Sequence, residues 1–102
     1  MIKLTPAQRA QWLARMPNCR YAETRGGVIQ RCFEFADFVP AFGFMSQVAL
    51  VAERSNHHPE WSNVFHRVEV LLTTHDAEGV SMRDIDLARE IDRLHDATVR
   101  PG

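Results

Sequence analysis

The segment Arg67-Val68-Glu69-Val70-Leu71-Leu72-Thr73 sets Val68, Val70 and Leu72 in alternation with Arg67, Glu69, Leu71 and Thr73. Successive side chains on a β-strand point to opposite faces. The spacing therefore predicts an antiparallel strand, Val68 to Thr74, with one face buried and the other wet. A sheet of this kind needs cover on its apolar face only, and amphipathic helices are the economical cover. The 102 residues, 45% hydrophobic and 25% charged, suit one domain, 1–102, around a single core.

Caps and breakers divide the rest of the chain. Thr5-Pro6-Ala7-Gln8 opens a helix, with Thr5 as N-cap, Pro6 at the first helical position and Gln8 closing a capping box. Pro17 stops that helix near Met16. Arg20 to Arg25 is expected to be a strand, Gly26-Gly27 a tight turn and Val28 to Phe35 a second strand, together a hairpin. Asp37 caps a long helix through Ala52 that ends near Asn56. Trp61 to Phe65 is expected to pair with the alternating strand as a second hairpin. Ser81-Met82-Arg83-Asp84, an S-x-x-D cap, opens a last helix with Leu87, Ala88, Ile91 and Leu94 on one face, and a frayed tail is expected from Ala97 to Gly102. The order is α-β-β-α-β-β-α. It predicts an α+β fold with three helices packed on one face of a four-stranded antiparallel sheet.

The long helix is apolar over most of its circumference: Phe38, Val39, Ala41, Phe42, Phe44, Met45, Val48, Ala49, Leu50, Val51 and Ala52. A helix lying on a sheet needs one apolar stripe, so the surplus predicts a homo-oligomer built on Phe38 to Ala52. A net charge of −1 gives no electrostatic basis for direct nucleic-acid binding or for holding an anionic membrane. Met1-Ile2-Lys3-Leu4 lacks the apolar core of a secretory signal, and no apolar run approaches a membrane span. Cys19 and Cys32 lack a CxxC spacing and are expected to be reduced, structural and each in a strand. A cytoplasmic protein follows from these readings.

Chemistry concentrates in Glu53-Arg54-Ser55-Asn56-His57-His58-Pro59-Glu60-Trp61. Unperturbed histidine titrates near pH 6.5, about where protons move at physiological pH. His57 falls at the carboxyl end of the long helix, where unpaired carbonyls favour a cation, and is the candidate general acid. Glu53, one turn earlier, is expected to orient that ring. Pro59 drives His58 into extended backbone, so the two imidazoles are expected to point apart. His75 follows the alternating strand beside Thr74 and Asp76, at the mouth of the sheet. Asp84 is first a capping carboxylate, and one so placed can also steady a histidine. His66 and His95 are expected at the solvated surface. Zinc is disfavoured, because adjacent histidines split by Pro59 converge poorly and neither HxH nor HExxH occurs. Neither Ser55 nor Ser62 has a nucleophile-elbow context, and no glycine loop would cradle a phosphate. The residues point to a small oligomeric protein with a histidine-lined pocket suited to acid–base catalysis.

Phe33-Glu34-Phe35, Asp37-Phe38, Ala41-Phe42-Gly43-Phe44-Met45, Val48-Ala49, Ala52-Glu53, His57-His58-Pro59-Glu60-Trp61, Asn63-Val64, Thr74-His75, Gly79, Asp84-Ile85 and Leu87-Ala88, in that order, resemble pterin-4a-carbinolamine dehydratase. The resemblance runs from about Thr5 to Asp96. It implies dimers and tetramers, and loss of water from 4a-hydroxytetrahydrobiopterin to give quinonoid dihydropterin, which recycles the cofactor of aromatic amino acid hydroxylases. It implies no metal and no organic cofactor. By the same resemblance His57, His58 and His75 are the catalytic histidines and Glu53 and Asp84 supporting carboxylates, with Pro59, Thr74, Asp76 and Ala77 lining the pterin site. Asn56 stands where some relatives carry Asp, and the loop after His75 has one glycine, Gly79, where many have two. In animals the family doubles as a dimerisation cofactor for a homeodomain transcription factor. A regulatory binding role, or action on another pterin such as the molybdenum cofactor, is therefore the alternative to the enzyme.

Overall fold

Thr5 lies in extended backbone (φ −70°, ψ 159°) and accepts the Gln8 N–H, while the Gln8 side chain accepts the Thr5 N–H at 2.9 Å. This reciprocal cap launches α1 (Pro6–Ala14), the first element of a computed structural model that describes residues 1–100. Arg15 and Met16 bond back to Trp12 and Leu13, tightening the last turn ahead of Pro17. The first hairpin pairs β1 (Arg20–Ala22) with β2 (Val28–Glu34). The strand expected to reach Arg25 stops at Ala22, because Thr24–Gly26 form a 3-10 turn with Arg25 in the left-handed region at φ 56°.

Asp37 accepts the Val39 N–H and opens α2 (Phe38–Ser55). Asn56, at φ 51° and ψ 41°, ends it: its N–H bonds the Glu53 carbonyl, and the His57 N–H bonds the Ala52 carbonyl. Asparagine tolerates this left-handed geometry better than most side chains. The second hairpin pairs β3 (Glu60–Val64) with β4 (Arg67–Leu72). A short 3-10 turn (His75–Ala77) leads to α3 (Met82–Val99), opened by the Ser81–Asp84 capping box. The tail expected from Ala97 is helical through Val99, with Arg100 N–H bonded to the Asp96 carbonyl; Pro101 and Gly102 lie outside the described residues.

The strands lie in the order β1-β2-β4-β3, each pair antiparallel. Register sets Ile29 against Leu72, Phe33 against Val68 and Trp61 against Val70 on one face. Onto that face α2 presents Ala41, Phe44, Val48 and Ala52, and α3 presents Ile85, Leu87, Ala88 and Ile91. Fully burying one such large aliphatic or aromatic side chain is worth about 1.5–3 kcal/mol. Trp12 and Leu13 of α1 pack against the same cluster. Gln30, Cys32, Glu34, Ser62 and Glu69, on the other face, are exposed. On α2, Val39 stays 76% and Leu50 72% exposed, with Phe38 and Phe42 also bare, so this monomer leaves the surplus apolar face open.

Three placements differ from expectation. His95 is no surface residue: its ring packs on Phe33 and Phe35, with centroids 4.9 and 5.4 Å away, because α3 docks with this face over the aromatic end of the core. His66 is half-buried, edge-on to Phe65. Cys19 precedes β1 and is half-buried, which pushes its thiol up to about 11, while Cys32 lies in β2 on the exposed face; both are free thiols.

Glycine contacts tie the β1–β2 turn to the turn after β4. Gly26, at φ 83°, passes so close that a Cβ would sit 2.0 Å from the Glu78 carbonyl oxygen, and a Cβ on Gly79 would sit 2.5 Å from the Gly26 carbonyl oxygen. A hydrogen bond of 2.8 Å from Thr73 Oγ1 to the Gly27 carbonyl adds to this seam. Gly26→Ala should cost roughly 2 kcal/mol or more, since both its backbone angle and its space forbid a side chain. Urea unfolding is the check, and a midpoint equal to that of the unmodified protein would refute the close approach.

A second expectation concerns acid. Burial, then the Arg31 charge, hold His95 below the ordinary 6.5, with weaker opposition from Asp96, the Glu34 carbonyl and Asp92. A histidine neutral in the fold but protonated on unfolding contributes stability above its ordinary pKa, and that stability is lost as pH falls through the depressed folded value. Thermal unfolding at about pH 7.5 and about pH 5.5 should therefore show a larger drop in Tm for the unmodified protein than for His95→Gln. Equal drops would contradict the buried neutral ring.

Candidate active site

The carboxyl end of α2, the start of β3, the end of β4 and the amino end of α3 meet at one end of the sheet, as the register Glu60–Leu71 and the Thr74–Gly79 bridge require. The left-handed turn at Asn56 swings His57 inward, and its Nε2 lies 2.6 Å from Asp84 Oδ1. The ring is 11% exposed and the carboxylate not at all. Asp84 Oδ2 accepts from Thr74 Oγ1 at 2.7 Å and from the Ser81 N–H at 2.9 Å. The Thr74 and Ser81 hydroxyls are 2.6 Å apart. A carboxylate at the first turn of a helix is also favoured by the helix dipole.

His58 takes a different course. Pro59 holds the chain extended after it, and its Nε2 lies 2.8 Å from Glu53 Oε1 with both side chains largely exposed. The two imidazoles thus diverge, as the sequence implies. Glu53, expected to orient His57, pairs with His58 instead: the inward turn at Asn56 gives His57 to Asp84 and leaves Glu53 on the outer side of the helix end.

The structure joins His57, Asp84 and Thr74 by direct hydrogen bonds and keeps His58–Glu53 as a separate pair. Pro59 is half-buried beside His58. His75 and Asp76 are exposed and Ala77 is buried, all in the 3-10 turn that begins one residue after Thr74. His75 is thereby tethered through the backbone to the carboxylate that holds His57. Among the described residues no three His, Cys, Asp or Glu side chains are grouped as a metal would require.

Two contributors escape sequence reasoning. Ser81 is a cap in the sequence, yet its hydroxyl also meets Thr74. Arg25 forms a two-pronged pair with Glu60 at 2.8 and 2.7 Å, bracing the β1–β2 turn against the residue after Pro59 and lowering the Glu60 pKa. The partners are 35 residues apart, and no local pattern announces the pair.

The network assigns the proton on His57. Both oxygens of Asp84 are engaged, and the Thr74 hydroxyl and Ser81 N–H donate to Oδ2. The remaining short contact is then assigned as a ring N–H donating from Nε2 to Oδ1, which leaves Nδ1 as the nitrogen not engaged by Asp84. Nδ1 accepts a proton in the neutral ring and donates one in the cation, so a single atom serves an acid–base cycle.

The family model for pterin 4 alpha carbinolamine dehydratase matches residues 2–94. A protein of Novosphingobium aromaticivorans, provisionally named pterin-4-alpha-carbinolamine dehydratase, is 54% identical over 90 residues, 88% of this chain and 93% of its own. A Rhodopseudomonas palustris protein with the same provisional name is 53% identical over 92 residues, 90% of each chain. A crystal structure from Brucella melitensis, described as a transcriptional coactivator/pterin dehydratase, superposes with a TM-score of 0.86 at 41% identity, covering 91% of this chain and 98% of that one. A pterin dehydratase-like RuBisCO assembly factor of the alpha-carboxysome, at 16% identity and a TM-score of 0.67 over 76% of this chain and 89% of its own, shares the fold. By the match of residues 2–94 and by these relatives, the chain belongs to the pterin-4a-carbinolamine dehydratase family.

Proposed function

We propose that this protein dehydrates 4a-hydroxytetrahydrobiopterin, or a pterin carbinolamine of the same structure at the reacting carbon. The observation that carries the reading is the His57 ring held by a buried carboxylate at the end of the sheet where His58 and His75 are also found. In the reaction the C4a–O bond breaks, the leaving hydroxyl takes a proton and departs as water, and the N5 proton is lost as the C4a–N5 double bond forms. His57, protonated at Nδ1, is the donor to the leaving oxygen, and neutral His75 is the acceptor of the N5 proton. His58, paired with Glu53, positions the pterin. Pro59, Thr74, Asp76 and Ala77 complete the walls, and Asp84 supports His57. Positioned proton transfer of this kind is typically worth about 10²–10⁴-fold.

The α2 surface extends the proposal. Phe38, Val39, Phe42 and Leu50 form an exposed apolar face on a helix already anchored in the core by Ala41, Phe44 and Val48. A second copy of the chain, in a homodimer or homotetramer, is the occupant this face suits. A cytoplasmic setting accords with the two free thiols. Among the described residues no helix is long and apolar enough to cross a membrane.

Carbinolamine generated in place by an aromatic amino acid hydroxylase is the decisive substrate. Its dehydration should accelerate well above buffer, and His57→Ala should lower kcat by about 10²-fold or more. No acceleration by the unmodified protein would sink the enzyme reading in favour of a regulatory binding role. An intact rate in His57→Ala, with the rate lost in His75→Ala, would reverse the roles of acid and base. Sedimentation equilibrium should give a multiple of the monomer mass, and a Val39→Lys, Leu50→Lys double substitution should return the monomer. A monomeric unmodified protein would refute the oligomer.

A further inference from the structure

We propose that Thr74 and Ser81 are positioning residues: an ordered pair of hydroxyls that locks the Asp84 carboxylate and, through it, holds His57 in the tautomer whose Nδ1 faces the substrate. The kinetic part of this inference rests on the dehydratase reading; the spectroscopic part does not.

The direction of each hydrogen bond follows from counting protons. Thr74 has one hydroxyl proton, which it gives to Asp84 Oδ2 at 2.7 Å. Its oxygen must then accept at the 2.6 Å contact, so Ser81 donates there. Ser81 Oγ in turn accepts the Arg83 N–H at 3.2 Å, and the Ser81 N–H goes to Asp84 Oδ2 at 2.9 Å. Thr74, Ser81 and Asp84 are 3%, 0% and 0% exposed, so water does not compete for these bonds. Every proton in the chain has one destination: Ser81 donates to Thr74, Thr74 donates to Asp84, and His57 donates to the same carboxylate from the other side.

A helix cap alone does not require this arrangement. The capping box needs Ser81 Oγ to accept one N–H and Asp84 to accept another. It needs no hydroxyl from the end of β4, and it does not demand that the second carboxylate oxygen face His57. Thr74 supplies what the cap lacks: a second donor on Oδ2 beside the Ser81 N–H, which fixes the carboxylate plane with Oδ1 aimed at the imidazole. With that donor gone Oδ2 keeps only the Ser81 N–H, the carboxylate is less firmly held against turning about its last bond, and the neutral ring of His57 gains freedom to carry its proton on Nδ1 for part of the time. Such a ring is not ready to be recharged at Nδ1 for the next donation to a leaving oxygen.

Thr74→Val removes the hydroxyl at nearly constant volume, and Thr74→Ser retains it. Nitrogen-15 NMR of the imidazoles reads the tautomer without any substrate. Neutral His57 should be protonated at Nε2 in the unmodified protein and in Thr74→Ser, and should become a mixture of tautomers in Thr74→Val. Under the dehydratase assay, Thr74→Val should lower kcat about tenfold, the scale of a lost orienting partner, and leave KM little changed. In a His57→Ala background the same substitution should cost nothing more, because its effect passes through that ring. Neutral His57 protonated at Nδ1 in the unmodified protein would overturn the proposal even if no variant folded. So would a His57 signature unmoved by Thr74→Val, or an equal further loss in the His57→Ala background. A tautomer that responds to Thr74 in a protein without dehydratase activity would uphold the positioning chain and reject the substrate.

Discussion

The buried carboxylate of Asp84 is the interaction on which the rest of this structure leans. It caps the amino terminus of α3, accepts from Thr74 at the exit of β4, and holds His57, the residue after the Asn56 cap of α2. A carboxylate with no exposure is expensive unless its lone pairs are filled, and here three donors fill them. The same requirement makes the site a joint. Three chain segments are brought together there by the donors that this carboxylate needs. Breaking a buried pair by deleting one member leaves the other uncompensated, which costs more than the pair contributes when intact. Fold and site are therefore coupled at a single residue.

The one-sided sheet decides where that joint lies. With all helices on one face, the loops at each end of the sheet are the open places, and the register brings the start of β2, the end of β4 and the start of β3 level with one another. Packing alone would leave these loops mobile. The Gly26–Gly79 approach and the Arg25–Glu60 pair brace them from the β1–β2 turn. Exposed ion pairs contribute little to stability, so the second brace acts on geometry more than on folding energy.

Much of this was legible in the chain before any coordinates. The alternation in β4, both capping boxes and the prolines set the element order, since each depends on local stereochemistry that a few adjacent residues determine. The divergence of His57 and His58 was legible for the same reason: Pro59 restricts its neighbour whatever the tertiary setting. What could not be read was which partner each ring takes. His57 and Asp84 are 27 residues apart, and their meeting depends on how α3 docks against α2. Proximity along the helix suggested Glu53, and the left-handed residue at Asn56 overrode it. β1 ended early because Gly26 must pass against the Glu78 backbone, a contact between loops that no periodicity encodes. His95 followed the same rule. Its polarity suggests solvent, but the docking of α3 brings it against Phe33 and Phe35.

The environments of the adjacent histidines also argue how they divide the proposed reaction. His57 and Asp84 are shielded from water, where a charge on either is weakly screened and any change of protonation is felt strongly by its neighbour. His58 and Glu53 are 56% and 81% exposed, so solvent and salt dampen what passes between them. A group that must exchange a proton with a bound molecule, cycle after cycle, gains most from the first setting, because its partner is held before the reaction begins and need not reorganise during it. A group that must admit, seat and release a planar ligand gains most from the second, where the side chain moves freely and its pairing is easily exchanged. Sequence adjacency makes the two rings look equivalent; the turn at Asn56 and the proline after His58 place them in different solvents.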